Sequence, residues 1–128
     1  MEQIIERTFD YRLVNKIAGK VPVISSKMIY LVYEKEMVWA FEEYLDGLMI
    51  HVSVLKSARG KKAVEVSKMA FKWLHDNGFK NVYACISQNL KDVCHFAIAI
   101  GMKFTHKESR EMGNIEHKFR CYKIILGA

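Results

Sequence analysis

The stretch "SVLKSARGKKAVEVSKMAFKWLHDNGF", residues 53–79, leaves a β-like apolar run, crosses a cluster of positive charge and enters an amphipathic helix that stops at Gly78. From about Gly60 to Asn77, Ala63, Val66, Ala70, Trp73 and Leu74 recur three and four residues apart. That spacing places them on one buried stripe, with Lys61, Lys68, Lys72 and Asp76 outside it. Between Lys56 and Lys72 stand Lys56, Arg59, Lys61, Lys62, Lys68 and Lys72, against Glu65 alone. Cations at a helix start oppose the helix dipole by about 0.3–1 kcal/mol each. A bound anion would explain them, because the free N–H groups and the dipole both favour phosphate there. The plainer alternative is an exposed basic connection between a strand and a helix.

The neighbouring segments fit around this unit. "GLMIHVSVL" (47–55) precedes it, with Leu48, Ile50, Val52 and Val54 on one face and Met49, His51 and Ser53 on the other. "KNVYACIS" (80–87) follows, with the near-continuous apolar centre expected of a buried inner strand. Strand, helix and strand over 47–87 imply a parallel pair with a right-handed crossover. Upstream, "KMIYLVYE" (27–34) and "MVWAFEEY" (37–44) form a hairpin, and Asp46-Gly47 turns the chain again. Gln3–Thr8 is a short strand. A helix follows, capped by Asp10, stopped by Gly19 and broken at Val21-Pro22. Downstream, "NLKDVCHFAIAIG" (89–101) is a helix, and "MKFTHKE" and "HKFRCYKIIL" are strands joined through "SREMGNIE". The order β-α-β-β-β-α-β-α-β-β describes an α/β chain: a central mixed sheet flanked by about three helices.

At 128 residues, 51% of them hydrophobic, the chain is most simply one domain over 1–128. No stretch reaches about 18 apolar residues, and "MEQIIERTFDYRL" alternates charge too early for a signal peptide. No membrane partner and a cytoplasmic location are expected. Cys85, Cys94 and Cys121 lack CxxC spacing and read as core residues, and the five histidines lack HxxxH or HExxH spacing. No metal site is expected. The formal net charge of +6 favours polyanionic partners such as nucleic acid or CoA phosphates.

"ARGKKAVEV", "WLHDNGFKNVYACIS" and "NLKDVCHFAIAIGMKF", taken in this order, resemble the GNAT N-acetyltransferases over nearly the whole chain. That family has a strand, a phosphate-binding turn R/Q-x-x-G-x-G/A, a helix, "GF" and a strand, then a helix N-x-x-A-x-x-x-Y. The basic turn and compact ending are also similar to small phage GNAT-like proteins, including those grouped with podovirus internal virion proteins. The resemblance implies the acyl-CoA N-acyltransferase fold and acetyl-CoA lying across a splay between the two parallel strands. Its pantetheine would pair along Ile50–Leu55, touching Val52, Val54 and Leu55. Its pyrophosphate would sit on Arg59, Gly60, Lys61, Lys62, Ala63 and Val64, with Asn89 opening the next helix.

Two departures stand out. Lys62 and Val64 occupy the positions of the motif glycine and Gly/Ala, where small residues admit phosphate to the backbone. Ala97 occupies the position of the tyrosine that protonates the leaving thiolate, and Phe96 beside it has no acidic proton. An amine acceptor must also lose a proton. His51 and Glu42 are the candidate bases, with Glu43 and Glu34 nearby; each also reads as an ordinary solvated or strand residue. Tyr83 is a candidate proton donor. Cys94, on an apolar helix face, reads as core.

Three functions follow: an acetyl-CoA-dependent N-acetyltransferase acting on an amine of a small molecule or protein by direct attack; a GNAT-fold binding or structural module without catalysis; and a basic nucleic-acid-binding domain. Trp39, Tyr44 and Trp73 do not interleave with the basic cluster as a base-stacking platform would, which weakens the third. The acceptor would be held by "NKIAGKVPVISS" and "ESREMGNIEHK", whose mixed charge selects no substrate class.

Overall fold

The computed structural model describes residues 5–18, 28–54 and 60–127. The expected stop at Gly19 and break at Val21-Pro22 lie outside them. The elements are β1 (Glu6–Arg7), α1 (Tyr11–Ala18), β2 (Ile29–Tyr33), β3 (Met37–Tyr44), β4 (Gly47–Val54), α2 (Lys61–Asp76), β5 (Asn81–Ser87), α3 (Lys91–Ala99), β6 (Lys103–Met112) and β7 (Ile115–Ile125). The seven strands join one sheet in the order β1-β2-β3-β4-β5-β7-β6. Among them only β4 and β5 run parallel, as the crossover through α2 requires.

The helices form where their caps and stripes lie. Asp10 Oδ1 accepts from the N–H groups of Arg12 and Leu13, both at 3.2 Å, and so caps α1. Val14 and Ile17 of α1 pack with Tyr30 and Val38 on one face of the sheet. On the other face α2 buries Ala63, Val66, Ala70, Phe71 and Leu74, and α3 buries Cys94 and Ala97. These meet Leu31, Trp39, Phe41, Leu48, Ile50 and Val82. Ser67 is also fully buried in the α2 stripe, where its Oγ accepts the indole N–H of Trp39 at 3.0 Å. Each polar group satisfies the other, so neither is orphaned in the core.

Two expectations change. "SREM" and "IE" are strand rather than connection, so β6 and β7 run up to a turn at Gly113-Asn114. At this end of the hairpin both faces are exposed, so its alternation carries no hydrophobic signal. β5 is buried on one face only: Val82 and Ala84 are covered, while Tyr83 and Cys85 are half-exposed. α1 packs against β3 and β4. The β5, β7 and β6 part of the same sheet face carries polar side chains and cysteines instead.

Candidate functional site

The β4–β5 ladder has two residue pairs, Leu48↔Val82 and Met49↔Tyr83. Beyond Met49 the two strands have no ladder between them, although both continue. β4 stays paired with β3 as far as Met37↔Val54, and β5 stays paired with β7 as far as Ser87↔Phe119. The parallel pair therefore opens as a V, and the β5-facing edge of Ile50–Val54 has no strand partner among the described residues. Gly47 sits at the closed end, where an added Cβ would collide with the carbonyl oxygen of Asn81. Only glycine lets the two backbones approach so closely.

α2 begins after the open end of β4. Gly60 is its N-cap, with φ 102° and ψ −142°, a conformation that favours glycine. The first helical bond runs from Val64 N to Gly60 O at 3.2 Å, and no side chain caps the end. The first turn holds no acidic residue. Its N–H groups at Lys61, Lys62 and Ala63 have no partner within the helix, which is what an anion site needs. Lys61 is exposed, Ala63 is buried and Val64 is half-buried against the core. Leu55 and Arg59 lie outside the described residues, and for Val54 only the backbone is described. Val52 packs on the core cluster at the edge of the V. Asn89 is exposed in the turn that follows β5.

Lys62 has partners of its own. Its Nζ lies 3.2 Å from Glu36 Oε2 and 3.8 Å from Glu34 Oε2, and 5.4 Å from the centre of the Tyr33 ring. The Glu36 hydrogen bond holds its ammonium above the ordinary lysine range. The lysine at the motif glycine is thus bound to the β2–β3 turn.

The open sheet face brings the candidate acid–base residues together. His51 Nε2 is 3.1 Å from Glu42 Oε1, diagonally across the β3–β4 pair, and both side chains are about half exposed, at 56% and 48%. Tyr83 opposes Met49 on the same face. Its hydroxyl donates to Asp46 Oδ1, while Asn81 Nδ2 donates to Asp46 Oδ2 at 3.2 Å. That Asp46 bond pushes the Tyr83 hydroxyl up to about 12 and holds the Asp46 carboxyl below its ordinary value. The Tyr44 ring meets Tyr83 edge-on at 5.3 Å. Asp46 was legible in the sequence only as a turn residue; its role in holding Tyr83 depends on the parallel register.

On the helical face, Ala97 is buried and offers no proton, and Phe96 packs against the core. Tyr122 supplies a hydroxyl that the sequence reading missed. It is buried beside the Cys94 thiol and accepts from Arg120 Nε at 3.1 Å. Burial is the main cause of its raised pKa. Cys94 is a core residue, as expected.

Cys85 and Cys121 oppose each other across β5 and β7, with Sγ atoms 3.2 Å apart. Burial, then the Cys85 contact, pushes the Cys121 thiol up to about 12. They line a cavity of about 170 Å³ with Tyr44, Tyr83, Thr105 and His106. A larger cavity, about 410 Å³, lies between the second half of α2 and the end of β7 and is lined by none of the candidate residues. Volume is therefore a poorer guide to the site than the open V.

No family model and no curated protein sequence matches the chain. Solved structures do. An IAA acetyltransferase from Bacillus cereus superposes with a TM-score of 0.72 at 12% identity, covering 98% of this chain and 100% of that one. A putative phosphinothricin N-acetyltransferase gives 0.75 at 12%, covering 99% and 100%. Mutant forms of the spermidine/spermine N-acetyltransferase SpeG from Vibrio cholerae give 0.77 at 10%, covering 98% and 95%. The chain has the GNAT fold. At these identities the likeness establishes the architecture alone. No helix among the described residues is long and apolar enough to cross a membrane.

Proposed function

We propose that this protein is an acetyl-CoA-dependent N-acetyltransferase that transfers an acetyl group to an amine by direct attack. The observation that carries the reading is the opening of the parallel pair beyond Met49–Tyr83 while β4 remains bound to β3. It leaves a strand edge from Ile50 to Val54 on which an extended pantetheine can hydrogen-bond as a strand would. The uncapped N-terminus of α2 then takes the pyrophosphate through its free N–H groups.

The acceptor amine approaches from the face that carries His51. With His51 Nε2 on Glu42, the Nδ1 atom is the ring nitrogen left without a partner among the described residues. It takes the proton from the amine, and Glu42 stabilises the imidazolium so formed. The amine nitrogen bonds to the thioester carbonyl carbon, the carbon–sulfur bond breaks, and the thiol leaves after protonation by water. Tyr83 positions Asp46 and the face rather than giving up its proton, because Asp46 holds that proton. The acceptor class is an amine, as in the spermidine acetyltransferases that share the fold.

A second reading, a GNAT fold retained as a binding module in a phage particle or against a host protein, draws support from Lys62 and Ala97. The first is paired away to Glu36, and the second is a buried methyl group at the tyrosine position.

Melting with and without acetyl-CoA tests the reading. At a hundred times its dissociation constant a ligand adds about 2.7 kcal/mol, which is a clear rise in Tm. No rise at millimolar acetyl-CoA overturns it. A rise without CoA release on any amine, polyamines included, leaves the binding module.

A further inference from the structure

We infer that Cys85, Cys121 and Glu108 form a binding site for a soft divalent metal ion of the zinc type on the open face of the sheet. Strand register brings the two thiols together. Gln88 N donates to Lys118 O at 3.0 Å, and Leu126 N donates to Lys80 O at 2.7 Å. These bonds mark the even-numbered β5 residues as the hydrogen-bonded pairs of the β5–β7 ladder. Cys85 and Cys121 therefore form a non-hydrogen-bonded pair, the kind in which opposite side chains come closest. Their Sγ atoms are 3.2 Å apart.

The third donor is brought in by a bulge. β6 shifts register between Phe104 and His106, so that His106 opposes Cys121 and Glu108 opposes Phe119. Continued without the shift, the ladder begun at Lys103↔Lys123 would set Glu108 on the opposite face, away from both cysteines. Re-aiming a side chain is a common use of such bulges. The two sulfur atoms and a Glu108 oxygen all lie within 4.8 Å of one another. Tetrahedral zinc, with Zn–S of about 2.3 Å and Zn–O of about 2.0–2.2 Å, holds its donors roughly 3.5–3.8 Å apart. Shifts of about an ångström, with the sulfurs parting and the carboxylate closing in, complete the set.

The carboxylate is oriented in advance. Glu108 Oε1 meets His106 Nε2 at 3.0 Å, and Oε2 accepts from Arg110 at 2.9 Å. Outer partners of this kind fix a ligating carboxylate. The charges also balance closely: two thiolates and a carboxylate face a divalent ion, with Arg110 beside them. On binding, both thiol protons pass to solvent. Two sulfurs and one oxygen select zinc, cobalt(II) or cadmium over calcium and magnesium. Both cysteines also line the cavity that Tyr44 and Thr105 border. No spacing motif marks the site, because its thiols are 36 residues apart and meet only through the sheet.

Cobalt(II) titration of the reduced full-length protein tests the site. The expected result is thiolate-to-cobalt charge-transfer absorption saturating at one equivalent and displaced by zinc. Cys85→Ser should abolish it, Glu108→Gln should weaken cobalt binding at least tenfold, and Cys94→Ser should leave it unchanged. Far-ultraviolet circular dichroism of each variant establishes that it is folded. Absence of the charge-transfer band in reduced protein overturns the site, as does a band that survives Cys85→Ser or is lost in folded Cys94→Ser.

Discussion

His51 Nε2 and Glu42 Oε1 stand 3.1 Å apart on the open face of the sheet, just past the last rung of the β4–β5 ladder. In the proposed function this carboxylate-backed imidazole is the general base, and the gap beside it takes the cosubstrate. On the proposed function, His51→Ala should lower kcat/KM for acetyl transfer by about 10²–10⁴-fold. Glu42→Gln should cost less, since it leaves the imidazole in place. Both side chains are half exposed, so each variant should keep its stability within about 0.5 kcal/mol. Release of CoA thiol with an amine acceptor measures the first effect and urea unfolding the second. Full activity in His51→Ala would remove it as the base.

Gly47 and Asn81 set the closed end of the same gap. A methyl group at Gly47 meets the Asn81 carbonyl oxygen, a backbone atom that cannot swing aside. Gly47→Ala should therefore destabilise the fold by about 1–3 kcal/mol, the usual cost of overpacking. Because one strand must move, it should also weaken acetyl-CoA binding more than an equally destabilising change in α1. Urea unfolding and ligand-dependent melting report the two separately. A Gly47→Ala variant as stable as its parent would show that the two strands part there without cost.

The sequence carried the elements whose burial is one-sided. Most of the α2 stripe, the Asp10 cap and the turn at Gly113-Asn114 follow from local chemistry that needs no neighbour. The Asp46-Gly47 signal falls one residue late: the chain turns at Leu45-Asp46, and Gly47 is already paired with Tyr44 in β4. The end of the β6–β7 hairpin did not show, because "SREM" is polar on both faces. Site residues divided the same way. His51 and Glu42 could be named from their strands. The Asp46–Tyr83 bond, the Lys62–Glu36 pair and the Cys85–Cys121 contact join residues 37, 26 and 36 positions apart. Strand register decides the first and third of those meetings, the packing of α2 on the β2–β3 turn decides the second, and composition and spacing encode neither.

Tyr83 gives a pH dependence with a definite sign. Its hydroxyl is pushed up to about 12 by the bond to Asp46, from an ordinary value near 10. Between those values the unfolded chain has lost a proton that the folded chain keeps. Stability from this pair is thus complete below about pH 10 and is lost as pH rises towards 12. Tyr83→Phe should flatten that alkaline decline, measured as Tm between pH 9 and 11.5, roughly the window set by the shift. An identical decline in Tyr83→Phe would assign it to other groups.

Trp39 and Ser67 form a closed polar pair inside the core. Ser67→Ala leaves the indole N–H buried without an acceptor and should cost about 1–3 kcal/mol. Trp39→Phe should cost more, because it also opens a cavity. The double variant should be less destabilised than the sum of the two, since neither orphan then remains. Urea unfolding of the four proteins closes the cycle; strict additivity would mean that the hydrogen bond contributes nothing.

Lys62 bears on whether the basic turn still holds phosphate. Its ammonium lies between Glu36 and Glu34 rather than free at the helix start. An anion on the α2 N–H groups must therefore be held without Lys62, or must draw it away from two carboxylates. In the first case Lys62→Ala should leave acetyl-CoA affinity unchanged. In the second, Glu36→Gln should tighten it a few-fold by freeing the lysine, and Lys62→Ala should weaken it. The pair is close and acidic on one side, and its contact with the Tyr33 ring adds a third hold on the ammonium. We therefore expect the first outcome, with the backbone and Gly60 carrying the phosphate and Lys62 fastening α2 to the β2–β3 turn. Calorimetric titration of acetyl-CoA into the parent and both variants decides between them, and a Lys62→Ala affinity lower by tenfold or more would reverse the assignment.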